Sequence, residues 1–294
     1  EQGIKGLIID LQFNGGGSMD EVIQLCGMFI NYGPVTILTD KQMRYNTIRD
    51  YNRGMIYNGP MVVLVNGYSA SASEFFAGVM QDYNRAVIVG TTTHGKASMQ
   101  SILPLEENDQ NNFVKVTVDR FYRVSGKSSQ YSGIKPDITL PTLFDILVQR
   151  ESGVPNALPN DTIDVKLRYN KLPEAPVKQA VAASMERVKN DATYSNLKKL
   201  NDRINVFYYE DRKKLPVTFT AVFNMVHSTD GLYKEIKSAA ETERNITVTG
   251  SYEPEGSPDF IKTVNDFKIK SIKTDPYIYE SLNILHDLNS FKKQ

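Results

Sequence analysis

The chain has 294 residues, 40% hydrophobic and 23% charged, enough to build a sizeable core and too apolar for a disordered tail. Thirty-four basic side chains balance 34 acidic ones, and a net charge of zero gives no ground for a dedicated nucleic-acid binder. The single Cys excludes an internal disulfide framework and a Cys-based zinc cluster, and no apolar run reaches the roughly 18–20 residues of a membrane span.

A soft prior of ~150 residues per domain predicts about two domains. Sixteen of the 19 glycines lie at or before Gly153, so the two halves differ in grammar. In the first half, short apolar runs alternate with helical patterns, the rhythm of an α/β layer structure. Gly6–Leu11, Met61–Val65 and Ala86–Gly90 read as strands buried on both faces. Val22, Leu25, Cys26 and Phe29 recur at helical spacing, and Ser71–Gln81 offers a second helix. Phe113–Val124 alternates Val114, Val116 and Val118 with Lys115, Thr117 and Asp119, which predicts a half-buried strand antiparallel to its neighbour. The segment Glu151–Pro159 reads as a boundary. Beyond it, Val177–Lys189, Tyr194–Tyr209, Leu232–Glu243 and Pro276–Phe291 carry helical periodicity, the last opened by Asp275 and a Pro at the first helical position. These helices read as a structural platform without chemistry of their own.

Three segments could carry chemistry. Asn14-Gly15-Gly16-Gly17-Ser18 lies between a strand and a helix whose start is marked by Ser18 and Glu21. Its backbone N–H groups suit a developing oxyanion or a phosphate, though a tight turn explains three glycines as simply. It lacks the spaced glycines of a dinucleotide site and the Gly-Lys-Ser/Thr of a phosphate loop. Tyr68-Ser69-Ala70-Ser71-Ala72-Ser73-Glu74 places serines at a strand-to-helix turn, the position of either an exposed nucleophile or an ordinary helix cap. A serine nucleophile needs a base. The polar loop from Thr91 to Gln100 offers His94 and Lys96, and composition does not choose between them. Cys26 reads as core, His227 and His286 have no metal-ligand spacing, and Glu106, Glu107 and Asp109 read as a solvated charge cluster.

Taken together and in order, these segments resemble the carboxy-terminal processing peptidases, in particular the bacterial tail-specific proteases. The resemblance rests on Asp10-Leu11-Gln12-Phe13-Asn14-Gly15-Gly16-Gly17, Ser69–Glu74, Gln81-Asp82-Tyr83-Asn84-Arg85-Ala86 and Gly95-Lys96-Ala97-Ser98-Met99-Gln100. It continues through Phe121–Val124 and Gly133–Ile138 into the helical half, at Asn156–Ile163 and Asp275-Pro276-Tyr277. Gln12 stands where the family usually has Arg, and Phe13 and Gly67 are also unusual.

The resemblance implies a serine endopeptidase with Ser71 as nucleophile, Lys96 as general base and Gln100 holding the lysine amine. It implies an oxyanion hole from the amides of Ala72 and Gly16, with Gly17 as the next choice, and supporting positions at Glu74, Thr93 and Asp82. Asp82 lies about three helical turns, ~16 Å, from Ser71, which favours a role away from the chemistry. It further implies an α/β crotonase-like and ClpP-like protease core over 1–150, incomplete at its N-terminal edge, followed by a mainly α-helical C-terminal domain over 151–294. No metal or organic cofactor is implied. The expected partners are protein or peptide substrates with exposed apolar C-terminal tails, with no nucleic acid, no integral membrane segment and an oligomer left open. A PDZ module is expected elsewhere in a longer protein of the periplasm or cell envelope. Two rival readings stand beside it: an acyl-thioester enzyme of crotonase type, and a peptide-binding scaffold without catalysis.

Overall fold

Leu7–Asp10 (β1) opens the chain's parallel sheet, and Met19–Gly27 (α1) returns across it. Gly33–Asp40 (β2) and Tyr45–Asp50 (β3) form a hairpin, followed by Met61–Val65 (β4), Ala72–Asp82 (α2) and Val87–Gly90 (β5). Ser98–Pro104 (β6) and Phe113–Tyr122 (β7) make a second hairpin, and Ile138–Thr139 (β8) closes the β region. The helices of the second half are Ala175–Asn190 (α3), Ala192–Asn205 (α4), Phe219–His227 (α5), Asp230–Ala240 (α6), Asp259–Thr274 (α7) and Pro276–Phe291 (α8). The structure, a computed structural model, describes residues 3–106, 111–165, 167–210, 216–250 and 258–291. Glu107 and Asp109 of the loop charge cluster lie outside the described residues.

Two four-stranded sheets result, one parallel in the order β1-β4-β5-β8 and one antiparallel in the order β3-β2-β7-β6. The parallel sheet is buried on both faces, as its uninterrupted apolar strands require. Met61, Val63, Val65 and Ile88 point to one side, into a core with Val22, Cys26, Phe76 and Met80 of α1 and α2. Val62, Leu64, Val87 and Val89 point to the other, against Ala180, Tyr194, Leu197, Ile284, Leu285 and Leu288 of α3, α4 and α8. The second half is therefore more than a platform: three of its helices supply one wall of the core, and the fold is a mixed α/β layer structure whose C-terminal part is helical. Asp275 accepts from the N–H groups of Tyr277 (2.7 Å) and Ile278 (3.1 Å), which caps α8 where Asp-Pro marked its start. Arg187 of α3 reaches Glu280 (2.8 Å) and Asp287 (2.7 Å), locking α3 onto α8.

Several elements depart from the sequence expectations. The polar loop after β5 ends at Ala97, and Ser98 to Gln100 already belong to β6. β7 is antiparallel to both neighbours, but its first five residues are exposed on both faces, so only its end is half-buried or buried. The β2–β3 hairpin, α5 and α7 carry no counterpart among the expected elements; α5 and α7 bury no residue. Cys26 is fully buried, and burial, with Asp50 nearby, pushes its thiol well up.

The far end of α2 is pinned to the end of β7 by Asp82, whose two oxygens accept from Arg123 at 2.7 and 3.0 Å. Asp82→Ala should cost about 1–3 kcal/mol of unfolding free energy, the usual worth of charge-assisted hydrogen bonds. In urea titrations the Asp82→Ala/Arg123→Ala double variant should lose less than the sum of the single losses, as partners in one contact do.

Candidate active site

The serine-rich turn between β4 and α2 resolves into three different fates. Ser69 Oγ donates to the Leu11 carbonyl at 2.7 Å and accepts from the Asn66 amide at 2.9 Å. Ser73 Oγ donates to the Asn14 carbonyl at 2.9 Å. Both hydroxyls thus fasten the triple-glycine loop to the serine turn. Ser71 lies between them and lines a cavity of about 320 Å³. Its backbone sits at φ 56°, ψ −114°, outside the regions that side-chain-bearing residues ordinarily occupy, and such strain gathers at functional turns.

Glu74, one turn into α2, holds the strained turn. Its carboxylate is buried and accepts four hydrogen bonds: from the Ser71 N–H (2.9 Å), the Thr93 hydroxyl (2.5 Å), the Gly95 N–H (2.7 Å) and the Lys96 N–H (2.8 Å). One side chain therefore fixes the backbone of Ser71 and the loop that carries Lys96. Burial pushes the Glu74 carboxyl up from 4.5 to about 7, against the four donors, which pull it down. Thr93 is itself held in place, its oxygen accepting from the Ile134 N–H at 2.6 Å.

From this loop Lys96 turns into the same cavity, and its Nζ donates to Gln100 Oε1 at 3.2 Å. Ser71, Ala72, Gly17, Lys96 and Gln100 all line the cavity, with Met19, Met99, Ile102 and Phe121 as its apolar wall. Among the described residues its lining has two lysines, Lys96 and Lys115, and no carboxylate. His94, the other base that composition left open, turns away and meets Glu151 at 3.4 Å. Asp82 also lies elsewhere, in its pair with Arg123.

The glycine loop separates into two roles. The Gly16 N–H donates to Asn14 Oδ1 at 2.9 Å, so it is committed within the turn, and Gly16 does not line the cavity that holds Ser71. Gly16 instead makes the close approach. At φ +98°, a Cβ there would lie 2.7 Å from the Ala70 oxygen, 2.8 Å from the Ala72 nitrogen and 2.9 Å from Ser71 Cβ. Gly17 faces the cavity beside Ala72, and a Cβ on it would meet nothing within 4 Å. Sequence reasoning missed Asn66, whose side-chain oxygen accepts from the Phe13 and Tyr68 N–H groups at 3.1 and 3.0 Å. No local motif marks an Asn for that bridge, which exists only once β1 and β4 lie side by side.

Part of this chain is similar to known peptidases. Residues 1–140 match peptidase family S41. A tail-specific protease of Haemophilus influenzae is 40% identical over 167 residues, 55% of this chain and 24% of that protein. A carboxy-terminal-processing protease of Bartonella bacilliformis is 39% identical over 140 residues, 47% of this chain and 31% of that protein. The chain thus spans 24% and 31% of the length of these two relatives. Among solved structures, a photosystem II D1 C-terminal processing protease aligns with a TM-score of 0.42 at 30% identity, over 52% of this chain and 41% of that one. Residues 1–140 are thus similar to serine-type peptidases of the carboxy-terminal-processing and tail-specific kind.

Two variants test how the site is built. Gly16→Ala forces the glycine loop off the Ser71 turn and should lower kcat/KM by about a hundredfold or more, whereas Gly17→Ala, which keeps its N–H and meets open space, should stay within about tenfold. Glu74 has the higher proton affinity in the folded chain, so its titration contributes stability that is complete below about pH 4.5 and lost as pH rises through about 7. The stability difference between the parent and Glu74→Gln should accordingly shift against the parent between pH 5 and 7.5, by up to about 1.4 kcal/mol per pH unit in urea denaturation.

Proposed function

We propose that this chain carries the catalytic core of a serine endopeptidase that cleaves peptide bonds through an acyl-enzyme on Ser71. The observation that carries this reading is the cavity itself: a serine on a strained turn, a lysine whose partner is an uncharged amide, and the Ala72 and Gly17 amides beside them, with no carboxylate among the described lining residues. In the proposed cycle, the Lys96 amine takes the proton of the Ser71 hydroxyl as Oγ attacks the scissile carbonyl carbon. The Ala72 and Gly17 N–H groups donate to the oxyanion that forms, and this replaces Gly16 with Gly17 in the oxyanion hole. Collapse of the tetrahedral species breaks the C–N bond, and Lys96 returns the proton to the leaving amine. Water then attacks the ester with Lys96 again accepting a proton, which releases the acid product and restores Ser71. Gln100 orients the amine without adding charge, and Glu74 and Thr93 hold the geometry.

The apolar wall of Met19, Met99, Ile102 and Phe121 supports apolar segments as substrates, and the tail-specific and carboxy-terminal-processing names of the relatives support proteins presented by their C-terminal ends. Residues 1–150 would carry the chemistry and 151–294 a helical domain that completes the core. An envelope or periplasmic setting, a PDZ module elsewhere in the parent polypeptide and possible assembly of several copies belong to the same proposal. Among the described residues, no helix is long and apolar enough to cross a membrane.

Ser71→Ala and Lys96→Ala should each lower cleavage of a protein ending in an apolar tail by about 10⁴-fold or more, with unchanged urea midpoints. A fluorophosphonate should label the parent at Ser71 and leave Ser71→Ala unlabelled. Full activity of Lys96→Ala overturns the pairing of serine and lysine, and cleavage without acylation of Ser71 favours a thioester-type site.

A further inference from the structure

Lys96 enters the cavity from a loop whose main chain is held residue by residue. The Thr93 N–H donates to the Ile134 carbonyl at 3.2 Å and the His94 N–H to the Ser69 carbonyl at 3.0 Å. The Gly95 and Lys96 N–H groups donate to the Glu74 carboxylate. The Ala97 N–H donates to the side-chain oxygen of Gln130 at 2.8 Å. Gln130 lies between β7 and β8, 33 positions further along the chain, and is completely buried. No local pattern marks it, and its side chain reaches the lysine loop only once β5 and β8 lie side by side.

Peptide geometry gives this one contact a particular consequence. A peptide unit is planar, so a residue's two soft dihedrals follow from the planes on either side of its Cα. The plane before Lys96 carries the Lys96 N–H, which Glu74 holds at 2.8 Å. The plane after Lys96 carries the Ala97 N–H, which Gln130 holds at 2.8 Å. Glu74 therefore sets one dihedral of the lysine and Gln130 the other. With both planes held, the side chain leaves Cα in one direction, into the cavity that Ser71 also lines.

The Gln130 amide has a single orientation that allows this. Its Nε2 donates to Glu151 Oε1 at 2.9 Å and to the Leu158 carbonyl at 3.3 Å, and a carboxylate and a carbonyl only accept. A flipped amide would set its oxygen against both and its NH2 against the Ala97 N–H. Glu151 is anchored in turn, its N–H donating to the His94 carbonyl at 3.0 Å and its other oxygen 3.4 Å from His94 Nε2. Beside it, Arg150 donates to the Thr92 carbonyl at 3.0 and 3.1 Å and pairs with Asp145 at 2.8 Å, and Asp145 accepts from the Thr91 hydroxyl at 2.8 Å. The stretch Asp145–Glu151, at the compositional break of the sequence, thus grips the lysine loop from the side opposite Glu74.

We propose that Gln130, oriented by Glu151, is a positioning residue for Lys96: it fixes the peptide that follows the lysine and so aims the amine at Ser71. The proposal rests on the peptidase reading above and deepens it by naming what directs the base. Neither Gln130 nor Glu151 is among the described residues that line the cavity, so their effect falls on turnover and spares substrate binding. Its scale follows from geometry, since misplacing a reacting group by about 1 Å costs about a hundredfold in rate.

The test separates turnover from binding and from folding. With a protein ending in an apolar tail as substrate, Gln130→Leu should lower kcat by about a hundredfold and change KM by less than about threefold. Glu151→Ala, which leaves Gln130 in place without its orienting partner, should lower kcat by about tenfold. Gln130→Glu alone sets two carboxylates against each other and should be as poor as Gln130→Leu. The double variant Gln130→Glu/Glu151→Gln exchanges amide and carboxylate, keeps both hydrogen bonds, and should recover kcat to within about tenfold of the parent. Amide hydrogen exchange in the Ser71→Ala full chain reads the same contact without catalysis: adding Gln130→Leu or Glu151→Ala should speed exchange over residues 95–99 and leave α2 as protected as before. A raised KM with kcat unchanged, or an exchanged pair no better than Gln130→Glu, overturns the proposal, and Glu151→Ala decides it where Gln130→Leu does not fold. A parent that neither cleaves nor is acylated at Ser71, with faster exchange in the variants, leaves the contact in place and overturns the peptidase reading. A parent that cleaves, with kcat and exchange both unmoved by Glu151→Ala, does the reverse.

Discussion

One buried carboxylate organises the centre of this molecule. Glu74 accepts hydrogen bonds from the backbone of Ser71 and from three groups of the loop over Thr93–Lys96, with all four donors within 2.9 Å. The two segments belong to different crossovers of the parallel sheet, one following β4 and the other following β5, and adjacent parallel strands deliver both to the same edge. Each donor alone is worth little net free energy, but an acceptor buried with all its lone pairs engaged leaves no cheap alternative arrangement. The positive φ at Ser71 is the kind of local strain that persists only when its surroundings over-determine it, and here the surroundings are this carboxylate on one side and the close approach of Gly16 on the other.

The sheet beneath the site has its own requirement. Strands as apolar as Met61–Val65 need two covers, and α1 and α2 provide only one. The second comes from α3, α4 and α8, at the opposite end of the sequence, and α8 closes over β1 so tightly that a Cβ at Gly6 would lie 2.8 Å from Leu285. The compositional break near residue 150 is real in the sequence, where glycine gives way to Lys, Glu and Ala in helical order. It does not divide the core. Truncation near that break would leave Val62, Leu64, Val87 and Val89 facing water.

Parts of this were legible in the sequence because their causes are local. Strands buried on both faces show as uninterrupted apolar runs, and β4 runs over Met61–Val65 as read. A Pro preceded by a capping Asp announces α8 at Pro276. The gathering of Ser71, Ala72, Lys96 and Gln100 around one cavity followed from family resemblance, since nothing in the spacing of Ser71 and Lys96 reveals that their strands are neighbours. Other features have no local signature. The choice between Gly16 and Gly17 depends on which N–H the Asn14 side chain captures, and that became visible only with the turn in place. Gln100 read as a loop residue because the polar run Thr91–Gln100 contains no alternation long enough to signal a strand. The pairing of Asp82 with Arg123 joins a helix end to a strand end across 41 positions of sequence. α5 is mostly apolar but buries nothing, so periodicity had no buried face to report.

Lys96 shows how the two halves of the site avoid interfering. Its backbone N–H is bound to the Glu74 carboxylate, whereas its amine lies at the far end of the side chain beside the neutral oxygen of Gln100. A carboxylate at the amine would favour the ammonium and oppose proton abstraction from a serine. The fold therefore places the carboxylate where it positions main chain and an uncharged amide beside the amine. β6 makes that separation possible. Its first residues carry the chain away from the buried carboxylate, and four positions beyond Lys96 the strand returns Gln100 to the amine, across a cavity wall with no acidic residue among those described.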